Sequence, residues 1–300
     1  MAAEVSAPDS EPTEKSAKTS ASQHTRAHRS VTAGRVLVAI MLALAVFALY
    51  CYYSVQQLKH WITPSWDLAI FTQMAQAYSH FDMPIVQIKG TDFNLWGDHF
   101  HPILVLLGPV YAVFPSPLTL LVVQNFMIAA SVYMMVRFTQ RACALSSAKP
   151  EPAGTFVGVL LGAAFALSYG VQQAVAAQFH EVAFALPFLC GALGNLVLAG
   201  RINADERSRY IIRACLWAAP LAFVKEDMGV TAAMIGIVAF VRTGWIRKGL
   251  DELFPQNPED KPLPRGERIR NTFNSWVKTR GAAESTMLIL WGLFWSCLLY

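Results

Sequence analysis

The chain is a succession of long apolar runs separated by short polar stretches. The runs at 36–53, 118–136, 155–171, 182–199, 210–224, 228–241 and 284–300 each read as a transmembrane helix, since roughly 20 consecutive apolar residues span a bilayer. The fifth and sixth are short for a span. Their shared tip, Lys225-Glu226-Asp227, is therefore expected below the membrane surface. A further run, 103–114, lies between His101-Pro102 and Pro115-Ser116-Pro117, and at about twelve residues it suits an interfacial or re-entrant segment better than a crossing. The pattern predicts an all-α polytopic membrane protein with about seven transmembrane helices and extracytoplasmic juxtamembrane helices.

The polar stretches divide the chain. Residues 1–34 are rich in Ala, Ser, Thr, Glu and Lys without apolar periodicity, the composition of a disordered cytoplasmic tail. Arg26, Arg29 and Arg35 precede the first run. A basic region this long, with no small-residue cleavage site after the run, favours a permanent first helix over a signal peptide. A membrane domain is expected over 35–241, with an extracytoplasmic loop at 54–117. A basic cytoplasmic linker follows at 242–283, its 251–270 stretch Pro-rich, charged and flexible. The run at 284–300 is expected to be one more helix, continuing beyond Tyr300.

Charge settles the topology. If 103–114 does not cross, all but three of the 24 Lys and Arg fall on the side of the N-terminus, the exceptions being Lys59, Lys89 and Lys225. If it does cross, only six remain there. Lys and Arg concentrate in cytoplasmic loops, so the non-crossing arrangement is preferred, with the N-terminus cytoplasmic in a multi-pass plasma-membrane protein. The loop 66–102, the turn carrying His180-Glu181 and the tip Lys225-Glu226-Asp227 then share the extracytoplasmic face. Hydrophobic residues make up 54% of the chain and charged ones 15%, against about 25% charged in soluble domains. No basic block is interleaved with aromatics, which excludes a nucleic-acid groove. The five cysteines stand singly, without metal or redox spacing.

Candidate chemistry lies in the shared face. Asp67 follows Trp66 and opens a segment in which Leu68, Phe71, Ala75 and Tyr78 recur at helical spacing. It reads either as a helix N-cap, with Thr63 or Ser65 as rivals, or as a base for an acceptor hydroxyl. Gln73, two turns on, is placed to orient a substrate. In Asp98-His99-Phe100-His101-Pro102 an extended backbone puts His99 and His101 on one side. They read as ligands of a divalent metal completed by Asp98, Asp67, His180 or Glu181, or as hydrogen-bonded interfacial histidines. His180-Glu181 between two apolar runs is either a functional pair at membrane depth or a water-facing loop. Lys225-Glu226-Asp227 is either a self-compensated hairpin cap or a substrate site whose lysine meets a phosphate.

At these residues the chain resembles a known family. WDLAIFTQ, DHFHPILVLLGPVYAVFPSPLTLLVVQN, QFHEVAFALPF and FVKEDMG are similar, in order and spacing, to the motifs of an uncharacterised family of bacterial membrane proteins, domain of unknown function 2079. More distantly the layout is similar to GT-C glycosyltransferases, which join a loop carboxylate base to a lipid-linked phosphosugar donor. That resemblance implies a polyprenyl-phosphate-sugar-dependent transferase with membrane lipid as partner. Asp67, Glu181 and His180 would be catalytic, and Trp66, Gln73, Lys225, Glu226 and Asp227 would bind substrate. Many such enzymes carry an acidic pair in the first loop, whereas here only Asp67 stands beside Trp66, so Asp98 or Glu181 would supply the second carboxylate. The rival classes are a transporter and a non-catalytic membrane protein.

Overall fold

The computed structural model describes residues 13–62, 66–146, 152–246 and 265–299. Its helices are α1 (Thr13–His60), α2 (Trp66–Ser79), α3 (Leu107–Val113), α4 (Pro117–Ser146), α5 (Pro152–Ala166), α6 (Tyr169–Ala176), α7 (Ala185–Ala199), α8 (Ala204–Ala218), α9 (Met228–Arg242), α10 (Arg265–Lys278) and α11 (Ala282–Leu299). Short 3₁₀ turns lead into α3 and α7 and follow α8. Among the described residues extended pairing is limited to one bridge, Ile85 to Asn94. The all-α expectation therefore holds.

Among the described residues three helices are long and apolar enough to cross a membrane: Ala33–His60, Pro117–Ser146 and Glu181–Ala199. Two bent pairs, α5 with α6 (43°) and the last part of α10 with α11 (93°), raise the number to five if each pair is one span. Two of the seven expected runs do not pass this test of length and composition as single α-helices, for local reasons. The run at 210–224 begins inside α8, whose first half is charged. It ends in a 3₁₀ turn at Ala219–Phe223, where Pro220 lacks the N–H an α-helix needs. α9 has 15 residues, about 22 Å at 1.5 Å each, against a hydrocarbon core of about 30 Å. The helix α1 is continuous back to Thr13, so residue 34 marks a change of composition and not the start of an element. Most of the flexible linker expected at 251–270, and the N-cap rivals Thr63 and Ser65, lie outside the described residues.

α4 is the central post, packing against α1, α5 and α7, while α9 pairs with α11 and α7 with α8. The α9–α11 crossing is close because glycines meet there: a Cβ at Gly292 would lie 2.2 Å from the carbonyl oxygen of Gly229. The 103–114 run forms the 3₁₀ turn Pro102–Leu106 followed by α3, and lies against α2. α2 buries Leu68, Ile70, Phe71, Met74, Ala75 and Tyr78, the helical stripe expected from the sequence. Burying its large members, at about 1.5–3 kcal/mol each, fixes the rotation of α2 and hence the placement of Asp67 in its first turn.

Candidate functional site

One end of the bundle gathers the ionisable residues of three distant segments. Asp67 Oδ2 lies 3.1 Å from His180 Nε2. The neighbouring Glu181 accepts a hydrogen bond from Lys225 Nζ at 2.8 Å. The next residue, Glu226, holds His99 Nδ1 at 2.8 Å through one carboxylate oxygen and accepts the backbone N–H of Phe100 at 3.2 Å through the other. His180-Glu181 and Lys225-Glu226 each grip two other segments, so the three clusters form one ladder of charge pairs.

The ladder is driest in its middle and open at both ends, His99 keeping 46% of its side-chain surface. Asp67 and His180 are partly exposed, at 48% and 34% of their side-chain surface, whereas Glu181 keeps only 6%. Burial disfavours the Lys225 ammonium, but its bond to Glu181, with Glu226 and Asp227 nearby, outweighs this and lifts its pKa above the ordinary lysine value. Burial likewise opposes ionisation of Glu226, yet its backbone hydrogen bonds and His99 hold its pKa below the usual carboxylate range. Asp227 is exposed at the start of α9 and makes no side-chain cap bond.

Local backbone geometry aims the central pair. Gln178 is buried with φ +70°, a left-handed step that non-glycine residues seldom take. It turns the chain just before Phe179-His180-Glu181. Gln124 on α4, also buried, donates to the carbonyl of Gln178 at 2.8 Å and accepts the N–H of His180 at 2.9 Å. Gln124 is thus a positioning residue that the motif reading passed over. The signal was its polarity inside an otherwise apolar span. Ser296 Oγ donates to the carbonyl of Glu226 at 3.2 Å, so α11 secures the other side.

The remaining expected residues have other placements. Trp66 is exposed beside Asp67. Gln73 Oε1 accepts the N–H of Ile88 at 3.2 Å, which ties α2 to the loop and engages the group expected to orient a substrate. The three proposed metal ligands go to three different places. Asp98 pairs with Lys89, whose hydrogen bond is the main influence holding its pKa below the usual range. His99 goes to Glu226. His101 is 1% exposed, stands edge-on to Phe71 with ring centroids 5.8 Å apart, and has no hydrogen-bond partner on either ring nitrogen. Its burial pushes the pKa down, against the smaller opposing effect of Glu181. Among the described residues no three His, Cys, Asp or Glu side chains are grouped to hold a metal. An extended strand would have aligned the two histidines, but His101 has φ −137° and ψ 58° and starts a 3₁₀ turn.

Chemically, the Asp67 end of the ladder offers a carboxylate oxygen 3.1 Å from an imidazole nitrogen. Among the described residues the buried His180 Nδ1 has no hydrogen-bond partner. Among the described residues no partner is placed on the second oxygen of Asp67.

Comparison with known proteins adds the family and little more. No curated protein and no solved structure matches the chain. A family model described as "Predicted membrane protein (DUF2079)" matches residues 57–300, which takes in the whole ladder of paired charges. Together with the apolar helices and the motif order, this match places the chain in the DUF2079 family of predicted membrane proteins.

Proposed function

We propose that the protein is a membrane-embedded glycosyltransferase that takes sugar from a lipid-linked phosphosugar at the extracytoplasmic face. The observation that carries this reading is the Asp67–His180 pair at 3.1 Å, half-open at a helix start beside an exposed tryptophan. In the proposed step Asp67 takes the proton of an acceptor hydroxyl, whose oxygen bonds to the sugar's anomeric carbon. The bond from that carbon to the lipid phosphate breaks, and the phosphate leaves with the electron pair. His180 holds Asp67 in orientation. An ammonium has three N–H donors, so Lys225 can keep its bond to Glu181 and still offer charge to the departing phosphate. Glu181, buried and paired, positions Lys225. No step passes through a metal.

The test compares lipid-linked sugar pools and surface glycans in cells carrying Asp67→Asn, His180→Gln or the wild-type chain at matched expression. Loss of a general base costs about 10²- to 10⁴-fold, so Asp67→Asn should stop transfer while His180→Gln, which keeps a donor, retains part of it. Wild-type glycans with Asp67→Asn sink the proposal. A second reading, a transporter, draws on the break between α5 and α6 and on the buried Glu181–Lys225 pair, since discontinuous helices and intramembrane charges mark transport pathways. Under that reading Asp67→Asn alters ion coupling and leaves sugar pools unchanged.

A further inference from the structure

The opposite end of the bundle carries chemistry that the proposed transfer does not use. The carbonyl of Arg35 accepts from Gln140 at 3.2 Å, Arg201 donates to Ser146, and Arg242 Nη1 donates to the carbonyl of Leu196 at 2.8 Å. Between the ends of α7 and α9 and the first turn of α8 lies a cavity of about 470 Å³, lined by residues that include Arg207 and Arg242. Among the described residues no acidic side chain lines it. We infer that this cavity binds the phosphate of an anionic phospholipid in the adjoining leaflet.

Four observations converge on it. First, Arg207 Nε is buried and has no hydrogen-bond partner among the described residues. The Arg207 charge is thus left without a partner among the described residues at a cavity that Arg207 lines, which favours an anionic acceptor in that cavity. Second, Arg242 spends one Nη1 contact on Leu196 out of five N–H donors, and a second arginine lining the same cavity suits the several oxygens of a tetrahedral phosphate, two of which a guanidinium fork can take at once. Third, the backbone makes room. A Cβ at Gly200 would fall 2.3 Å from Arg242 Nη1, while Gly244, at φ +76°, turns the chain after α9 with nothing within 4 Å of where its Cβ would be. Fourth, the mouth is apolar. Val241 and Ile246 are exposed there, and Val238 and Met234 continue along α9 at helical spacing, also exposed. A paired positive head above an aliphatic track has the shape of a phospholipid, whereas a free phosphate needs only the head. Basic pockets between helix ends on the cytoplasmic side are a known physical solution for anionic headgroups, and the charge count assigns this end to that side.

The experiment uses the full chain purified in detergent and reconstituted into nanodiscs of phosphatidylcholine or of phosphatidylcholine with phosphatidylglycerol. Retained lipid is read by native mass spectrometry and thermal stability by melting, with inorganic phosphate as a separate arm. The wild-type chain should retain phosphatidylglycerol selectively and melt higher in its presence, while inorganic phosphate leaves the melt unchanged. Each of Arg207→Gln and Arg242→Gln should weaken retention about five-fold. Arg213→Gln, an α8 arginine outside the cavity that stands over the Tyr210 ring, should not. If one of the two cavity variants fails to fold, the other carries the comparison. Equal retention of the two lipids by the wild-type chain overturns the inference. So does a melt raised as much by inorganic phosphate, which would make this a site for a soluble anion, or a loss with Arg213→Gln as large as with Arg207→Gln.

Discussion

Removing Lys225 should destabilise the protein by stranding Glu181, and the size of the loss follows from burial. Glu181 keeps 6% of its side-chain surface, and its partner oxygen lies 2.8 Å from Lys225 Nζ. Breaking a fully buried pair from one side costs about 3–5 kcal/mol. Lys225 retains a quarter of its exposure, so water can reach the vacated position and the expected cost of Lys225→Met is about 2–3 kcal/mol. That is a drop of about 30- to 150-fold in the folded-to-unfolded ratio. Glu181→Gln on the same background should recover most of it, because a neutral amide needs no counter-ion. The assay is a double-mutant cycle on the purified protein, unfolded by sodium dodecyl sulfate titration in mixed micelles and followed by tryptophan fluorescence. A coupling of about 1.5 kcal/mol or more is expected. If Lys225→Met lies within about 0.5 kcal/mol of wild type, or if the double variant loses the sum of the singles, Glu181 does not depend on Lys225 and the ladder is not a connected unit.

Other consequences can be checked directly. A cysteine introduced at position 90 should be labelled in intact cells by an impermeant reagent, and one at 205 should not; labelling at 205 overturns the charge-based orientation. Gly108→Ala places a Cβ 2.7 Å from the carbonyl oxygen of Tyr78, so α2 and α3 must separate, at about 1–3 kcal/mol; an unchanged melting temperature would show that this contact does not hold α2. Stability should also fall on mild acidification. The His101 pKa is depressed in the folded state, so its contribution is full above the unfolded value of about 6.5 and is lost as pH falls from there through the folded value. Glu181, Glu226, Asp98 and His99 share its surroundings. The comparison of His101→Phe with wild type between pH 7.5 and 5.5 therefore isolates the imidazole, and equal pH slopes refute the assignment.

Convergence of the three clusters was legible because it depends only on how many crossings separate them, and the Lys and Arg pattern counts crossings. Which residues meet was not legible. Adjacent side chains in His180-Glu181 diverge to Asp67 and Lys225, a split set by the left-handed Gln178 and by Gln124 more than fifty residues away. No local spacing encodes that. The stripe on α2 was readable because burial follows helical period. The His99–His101 pairing was misjudged because alternation applies only to extended backbone, and Pro102 pulls His101 into a 3₁₀ turn. Hydropathy likewise registers the apolar content of 210–224 but not the helix break at Pro220, so it could not show which runs are single unbroken helices.

The ladder also imposes a timetable. His99 and its partner Glu226 are 127 residues apart in the chain, which a ribosome working at about 5–20 residues per second covers in roughly 6 to 25 seconds. Through that interval the loop at 66–102 is already made, and its charged groups have no partners from the later helices. The site then closes in the order of synthesis: His180 arrives first to meet Asp67, and Lys225 and Glu226 follow within one residue of each other to engage Glu181 and His99. A chain stalled before α9 would hold the Asp67–His180 pair of the site without the charges that anchor its buried middle.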